Sequence, residues 1–251
     1  MDAAKIVSNY GRLKAERSNV EGMWDFVDRF VMPYRATNYH SKTSEQEVDW
    51  RRRDIYDSTA PEAADALSAS IQGSLITPSA RWFDLRFQKE ELNKDQDARE
   101  WLEDCGNQIF MELQSSNFNL EAAEAILDLV SYGTMALLEE EDEDGNLVFS
   151  CAPCSDIYFE LGALGQVIRF YRKLEWTVLQ LIDKFGEENV PSEILERDEP
   201  GKKYEVVWCI FEDLENKHAD TSKTLASNAR PFQYKYVMVE GHEVLKDGGY
   251  Y

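Results

Sequence analysis

The chain has 251 residues, 43% hydrophobic and 12% aromatic, which is enough for one large core or two smaller ones and too apolar for a disordered protein. Its 48 acidic residues outnumber 27 basic ones, a formal net charge of −21. Such a field repels free nucleic acid and anionic membranes, so an ordinary DNA-coating protein is excluded, although a protein that DNA passes through without being gripped is not.

Ile6, Tyr10, Leu13, Val20, Trp24, Val27 and Phe30 recur mostly at three- or four-residue steps, with a gap between Leu13 and Val20, and predict a long amphipathic first helix. Met32-Pro33 ends it, because proline cannot continue the hydrogen-bond ladder and restricts the residue before it. Residues 34–50 are polar without periodicity and predict a loop. Thr59 and Glu62 fit a capping box, with Pro61 in the first turn, so a second helix starts there and runs through the Ala-, Ser- and Leu-rich stretch to Ile76. Trp82, Phe83, Leu85 and Phe87 predict a strand with imperfect alternation. A third helix, from about Asp95 to Gln114, carries Trp101, Leu102, Cys105, Ile109, Phe110 and Leu113 on its apolar side. Asn119 is the expected N-cap of a fourth, which Gly133 closes.

From Thr134 the pattern turns to strands: 134–138, 147–151, 157–160 and 167–175, with turns at Asp144-Gly145-Asn146 and at 162–165. A short helix follows, with Thr177 and Gln180 as capping box and Gly186 at its end. Residues 204–211 and 232–239 read as two more strands, and 242–245 as a candidate third. The predicted fold class is α+β: N-terminal helices followed by a mainly antiparallel β region, divided into a mainly helical part, 1–133, and a β-rich part, 134–251.

Apolar runs fall short of the about 18 residues needed to cross a bilayer. The first 22 residues lack the continuous hydrophobic stretch of a secretory signal, so a soluble protein made in the cytoplasm, with no membrane partner, is expected. Four cysteines, at 105, 151, 154 and 209, are too few for a disulfide framework in a chain this long. Cys151-Ala-Pro-Cys154 invites a redox reading, but that chemistry needs its first cysteine at a helix N-terminus, and the residues that follow read as the start of a strand. Two cysteines also fall short of a zinc site. Glu140, Asp142, Asp144 and Gly145 imitate the start of a calcium loop, but Cys151 stands where the bidentate glutamate belongs, and a solvated hairpin tip is the simpler reading. Arg51, Arg52 and Arg53 form the one dense basic cluster, suited to an acidic partner surface or to DNA. No nucleotide-binding loop, nucleophile elbow or zinc-protease motif is present, so catalysis has no visible home and no cofactor is expected.

Several segments, in order, resemble the head-to-tail connecting family of podovirus portals. They are Tyr56-Asp-Ser-Thr-Ala60 with its Ala/Ser/Leu helix, Ser74-Leu-Ile-Thr-Pro78, Arg81-Trp-Phe-Asp-Leu85 and Trp101-Leu102. Ser116-Asn-Phe118, Asp128-Leu-Val-Ser-Tyr-Gly-Thr134, Gly165-Gln-Val-Ile-Arg169, the 177–186 helix and Gly248-Gly-Tyr-Tyr251 complete the series. The resemblance covers nearly the whole chain. Family members are normally much longer and continue past the Gly-Gly-Tyr segment, so the chain is expected to hold the outer wing region without stem, clip and crown.

The resemblance implies a structural protein of the virion, assembled in the host cytoplasm and placed at the portal vertex. Its subunits form a dodecameric ring that nucleates head assembly, docks the terminase motor, passes DNA inward and outward, and anchors the tail. The implied partners are other copies of the chain, capsid and scaffolding proteins, the terminase motor and tail adaptor proteins. The ring does no bond chemistry. Trp82, Phe83, Asn117 and Phe118 then serve subunit contacts or core packing, and filling one core explains each of them equally well. Two readings from other classes stand beside it: a thiol- or metal-dependent enzyme using Cys151 and Cys154, and an acidic binding module that mimics DNA.

Overall fold

The computed structural model describes residues 1–33, 56–142, 144–196, 199, 201–220 and 223–250. The class is α+β, and the change from helices to strands falls just after Gly133. The compact units are divided elsewhere: one joins Met1–Gly22 to Asp156–Tyr251, and the other is Met23–Ser155.

The first unit is built on a five-stranded antiparallel sheet in the order β3-β4-β5-β6-β7, comprising Ile157–Leu161, Val167–Thr177, Lys203–Glu212, Phe232–Met238 and Val244–Tyr250. Helix α1, Ala3–Phe30, packs Ile6, Tyr10 and Leu13 against Tyr158, Tyr171, Val207 and Val237 on one sheet face. Ile6, Tyr171, Val207 and Val237 are fully buried, and burial of a large apolar side chain stabilises by about 1.5–3 kcal/mol. The gap in the apolar stripe of α1 is filled by Arg17. Its guanidinium lies 3.8 Å from the Tyr158 ring centroid, donates to the Tyr158 hydroxyl at 2.6 Å, and donates to the Ile157 carbonyl at 3.1 Å. Tyr10 meets the same Tyr158 ring edge-on at 5.0 Å and donates to Glu205 at 2.6 Å.

Helix α5, Val178–Phe185, starts with the expected capping box between Thr177 and Gln180. It sets Phe185 against Trp176 and Tyr236 at one end of the opposite sheet face. A single-turn helix, α6 (Ser192–Leu195), follows it. Strand β7 runs well past the expected 242–245, because two glycines let it continue. A Cβ on Gly248 would stand 2.6 Å from the Tyr234 ring, and one on Gly249 would stand 2.1 Å from the Ser227 carbonyl oxygen. The ring on one face and the loop on the other cover what would otherwise be bare backbone.

The second unit holds the C-terminal part of α1, helices α2 (Thr59–Leu75), α3 (Gln96–Ser115) and α4 (Phe118–Tyr132), and the hairpin of β1 (Ala136–Glu141) with β2 (Leu147–Ala152). Two helix starts differ from expectation. At α2 the capping residue is Ser58, and Asp57 takes the amide and hydroxyl of Thr59, so no Thr59–Glu62 box forms. Helix α4 is capped by Asn117 rather than Asn119, which places Phe118 inside its first turn. Gly133 ends α4 in the left-handed conformation, φ 78°, as a C-terminal glycine does. Trp24, Met32, Tyr132 and Cys154 form one buried cluster, and the Tyr132 hydroxyl donates to the buried Asp28 carboxylate. Burial and that carboxylate push the Tyr132 hydroxyl far above its ordinary range.

Residues 81–87 form no strand. The Asn93 side chain substitutes for a partner strand at Phe87, accepting from its amide at 2.8 Å and donating to its carbonyl at 2.9 Å. The aromatic rings of the segment are taken up by helices: Trp82 stacks on Phe118, and Phe87 stacks on Trp101 at 6.0 Å.

Candidate functional site

Three of the four singled-out residues, Trp82, Asn117 and Phe118, converge with Phe149 of β2, and Phe83 joins them through Trp82. Phe118 lies 6.2 Å from Trp82 with nearly parallel rings and 5.1 Å edge-on from Phe149. Phe83 meets Trp82 edge-on at 5.2 Å. Asn117 works through its amide: Nδ2 donates to the Phe149 carbonyl at 2.7 Å, and the Phe149 amide donates to Oδ1 at 2.8 Å. One turn on, Glu121 accepts from the Cys151 amide at 2.7 Å. The N-terminus of α4 therefore stitches the outer edge of β2, supplying hydrogen bonds that an added strand would make. Phe118 is 8% exposed and Trp82 40%, so the stack runs from the core to the surface.

Arg81 anchors the segment that carries Trp82. Its guanidinium donates to the Glu103 carboxylate at 2.6 Å, to the Glu103 carbonyl at 3.2 Å and to Asn107 at 3.2 Å. It lies so close over α3 that a Cβ on Gly106 would stand 2.5 Å from Nη1. Sequence reasoning missed Gly106 and Asn93. A glycine inside an otherwise ordinary helix was the available signal for a close approach. Beside this anchor, an open groove of about 330 Å³ is lined by polar and apolar residues together, among them Asp84, Arg86, Asn93, Arg99 and Glu103.

The thiols are placed for packing. Cys151 sits within β2 and donates to Asp128, while Cys154 is buried in the following turn and donates to the Thr134 carbonyl at 3.2 Å. No disulfide joins any of the four cysteines. Burial pushes the Cys209 thiol up to about 12. At the hairpin tip the Asp142 carboxylate accepts from the amides of Asp144 and Asn146, which holds the turn. Among the described residues no cluster of His, Cys, Asp and Glu is arranged to hold a metal ion, and no helix is long and apolar enough to cross a membrane. Arg51, Arg52 and Arg53 lie outside the described residues.

In this acidic α+β chain the singled-out segments are spent on aromatic stacks, on stitching the edge of β2 and on a close approach to α3. The chain belongs to the bacteriophage head to tail connecting protein family, which it matches over residues 3–251. It is similar to the portal protein of Salmonella phage epsilon15, with 24% identity over 98% of this chain and 44% of that protein. It is also similar to the probable portal protein of Bordetella phage BPP-1, with 22% identity over 73% of this chain and 33% of that protein. The chain thus spans less than half the length of these relatives.

Proposed function

We propose that this chain works as a portal subunit, a structural and non-enzymatic part of the virion that joins a dodecameric ring at one capsid vertex. Such a ring admits DNA during packaging, releases it during ejection and holds the tail. Its partners are other copies of the chain, the terminase motor, capsid and scaffolding proteins and tail adaptor proteins. Assembly takes place in the host cytoplasm.

The observation that carries this reading is the family match across residues 3–251. The net charge of −21 supports it, since an acidic wall lets DNA slide without tight phosphate contacts. Within the ring, Trp82 with Phe83 forms the outer end of a stack rooted on Phe118, and Asn117 holds that root to β2. The exposed end is the subunit contact and the buried end fills the core. The Arg51–Arg53 cluster pairs with an acidic partner surface. The thiol-enzyme alternative has no support, because Cys151 lies in a strand rather than at a helix N-terminus.

Electron microscopy of the purified chain tests the assembly. Closed rings of uniform diameter are the expected result, and discrete compact particles at every concentration would argue against it.

A further inference from the structure

The second face of the five-stranded sheet is only partly covered. Along one register row, Phe159, Phe170, Ile210 and Tyr234 face the same way and are each half-buried, with Gly248 completing the row on β7. Beyond them, Phe232 and Tyr250 pair on the same face and stay 42% and 37% exposed. An aromatic row of this length open to water is uncommon on a protein that works alone.

The next row inward carries Arg172 opposite Trp208. The Nε of Arg172 and the Nε1 of Trp208 are both buried, and neither has a hydrogen-bond partner among the described residues. Trp208 is 4% exposed, held by a parallel stack on Tyr236 at 5.6 Å and an edge contact with Phe170 at 6.1 Å. Two buried N–H donors without an acceptor, on adjacent strands of one face, are costly unless something supplies an oxygen. Charge marks the same place. This face carries two cations, Arg172 and, opposite Tyr236, Lys246; its carboxylate at Glu212 is already paired with Lys217 at 3.1 Å. On a chain with 48 acidic and 27 basic residues, a cationic aromatic face complements the rest of the molecule.

We propose that this sheet face receives a carboxylate-bearing segment of a second copy of the chain. The carboxylate accepts from Arg172 and Trp208, and apolar side chains cover the Phe170–Tyr234 row. The proposal rests on the portal-subunit reading, since it assigns one contact by which copies associate.

The test is sedimentation velocity of the full chain over a wide concentration range at low and high salt. Self-association is expected, weakened by salt, and weakened more than about tenfold by Arg172→Gln, with partial retention in Arg172→Lys. Far-UV circular dichroism checks that the variant folds. Should Arg172→Gln fail to fold, Lys246→Glu, an exposed change on the same face, must weaken association instead. A wild-type chain that stays monomeric throughout would overturn the proposal, as would variants that associate like wild type. Saturable binding of a short single-stranded DNA, lost in Arg172→Gln, would overturn it in favour of a nucleic-acid site. Rings that persist unchanged in Arg172→Gln would remove this contact while leaving the portal reading standing.

Discussion

Arg17 shows how one residue resolves an irregularity that periodicity alone leaves open. A charged residue in the middle of an apolar stripe reads as a break in the helix face. Here the stripe continues through it, because the guanidinium sits over the Tyr158 ring and its donors reach the Tyr158 hydroxyl and the Ile157 carbonyl of β3. A cation over a partly desolvated ring and two hydrogen bonds are together worth more than a surface ion pair. Arg17→Gln is therefore expected to cost about 2 kcal/mol, read as a lower urea midpoint with unchanged slope. A change within about 0.5 kcal/mol would mean that the helix is held by Ile6, Tyr10 and Leu13 alone.

At the scale of elements, capping signals were legible where the side chain acts locally. Thr177 and Gln180 form the capping box that their spacing implies, and Gly133 takes the left-handed position expected past a helix end. The segment 81–87 was not legible, because alternating aromatics show that rings will be half-buried without showing what buries them. Its backbone found Asn93 and its rings found Phe118 and Trp101, which are distant choices that no local pattern contains. The start of α4 was missed by two residues for a related reason. Asn117 serves β2 with its side chain, so its role becomes visible only once Phe149 is in place. Asn117→Ala should leave the backbone N–H and C=O of Phe149 without these partners and destabilise the chain by about 1–3 kcal/mol, measured by chemical denaturation. Asn119→Ala is expected to have little effect, which separates the stitch from a general loss of capping.

For the whole molecule, composition bounded the class and the order of short segments pointed to the family, which the match over residues 3–251 then established. The boundary between compact units was not legible. Composition changes after Gly133, yet the hairpin of β1 and β2 packs with the helices, and the start of α1 packs with the later sheet. Charge works at this scale too. A net −21 opposes association between copies, so the contacts of the proposed ring must outweigh that repulsion.

The most direct test of the portal reading is the mass of the chain in solution, by light scattering across concentration and salt. A portal subunit should give a discrete large species with the mass of a closed dodecamer, growing at the expense of small ones as concentration rises. A single-subunit mass under every condition would contradict it.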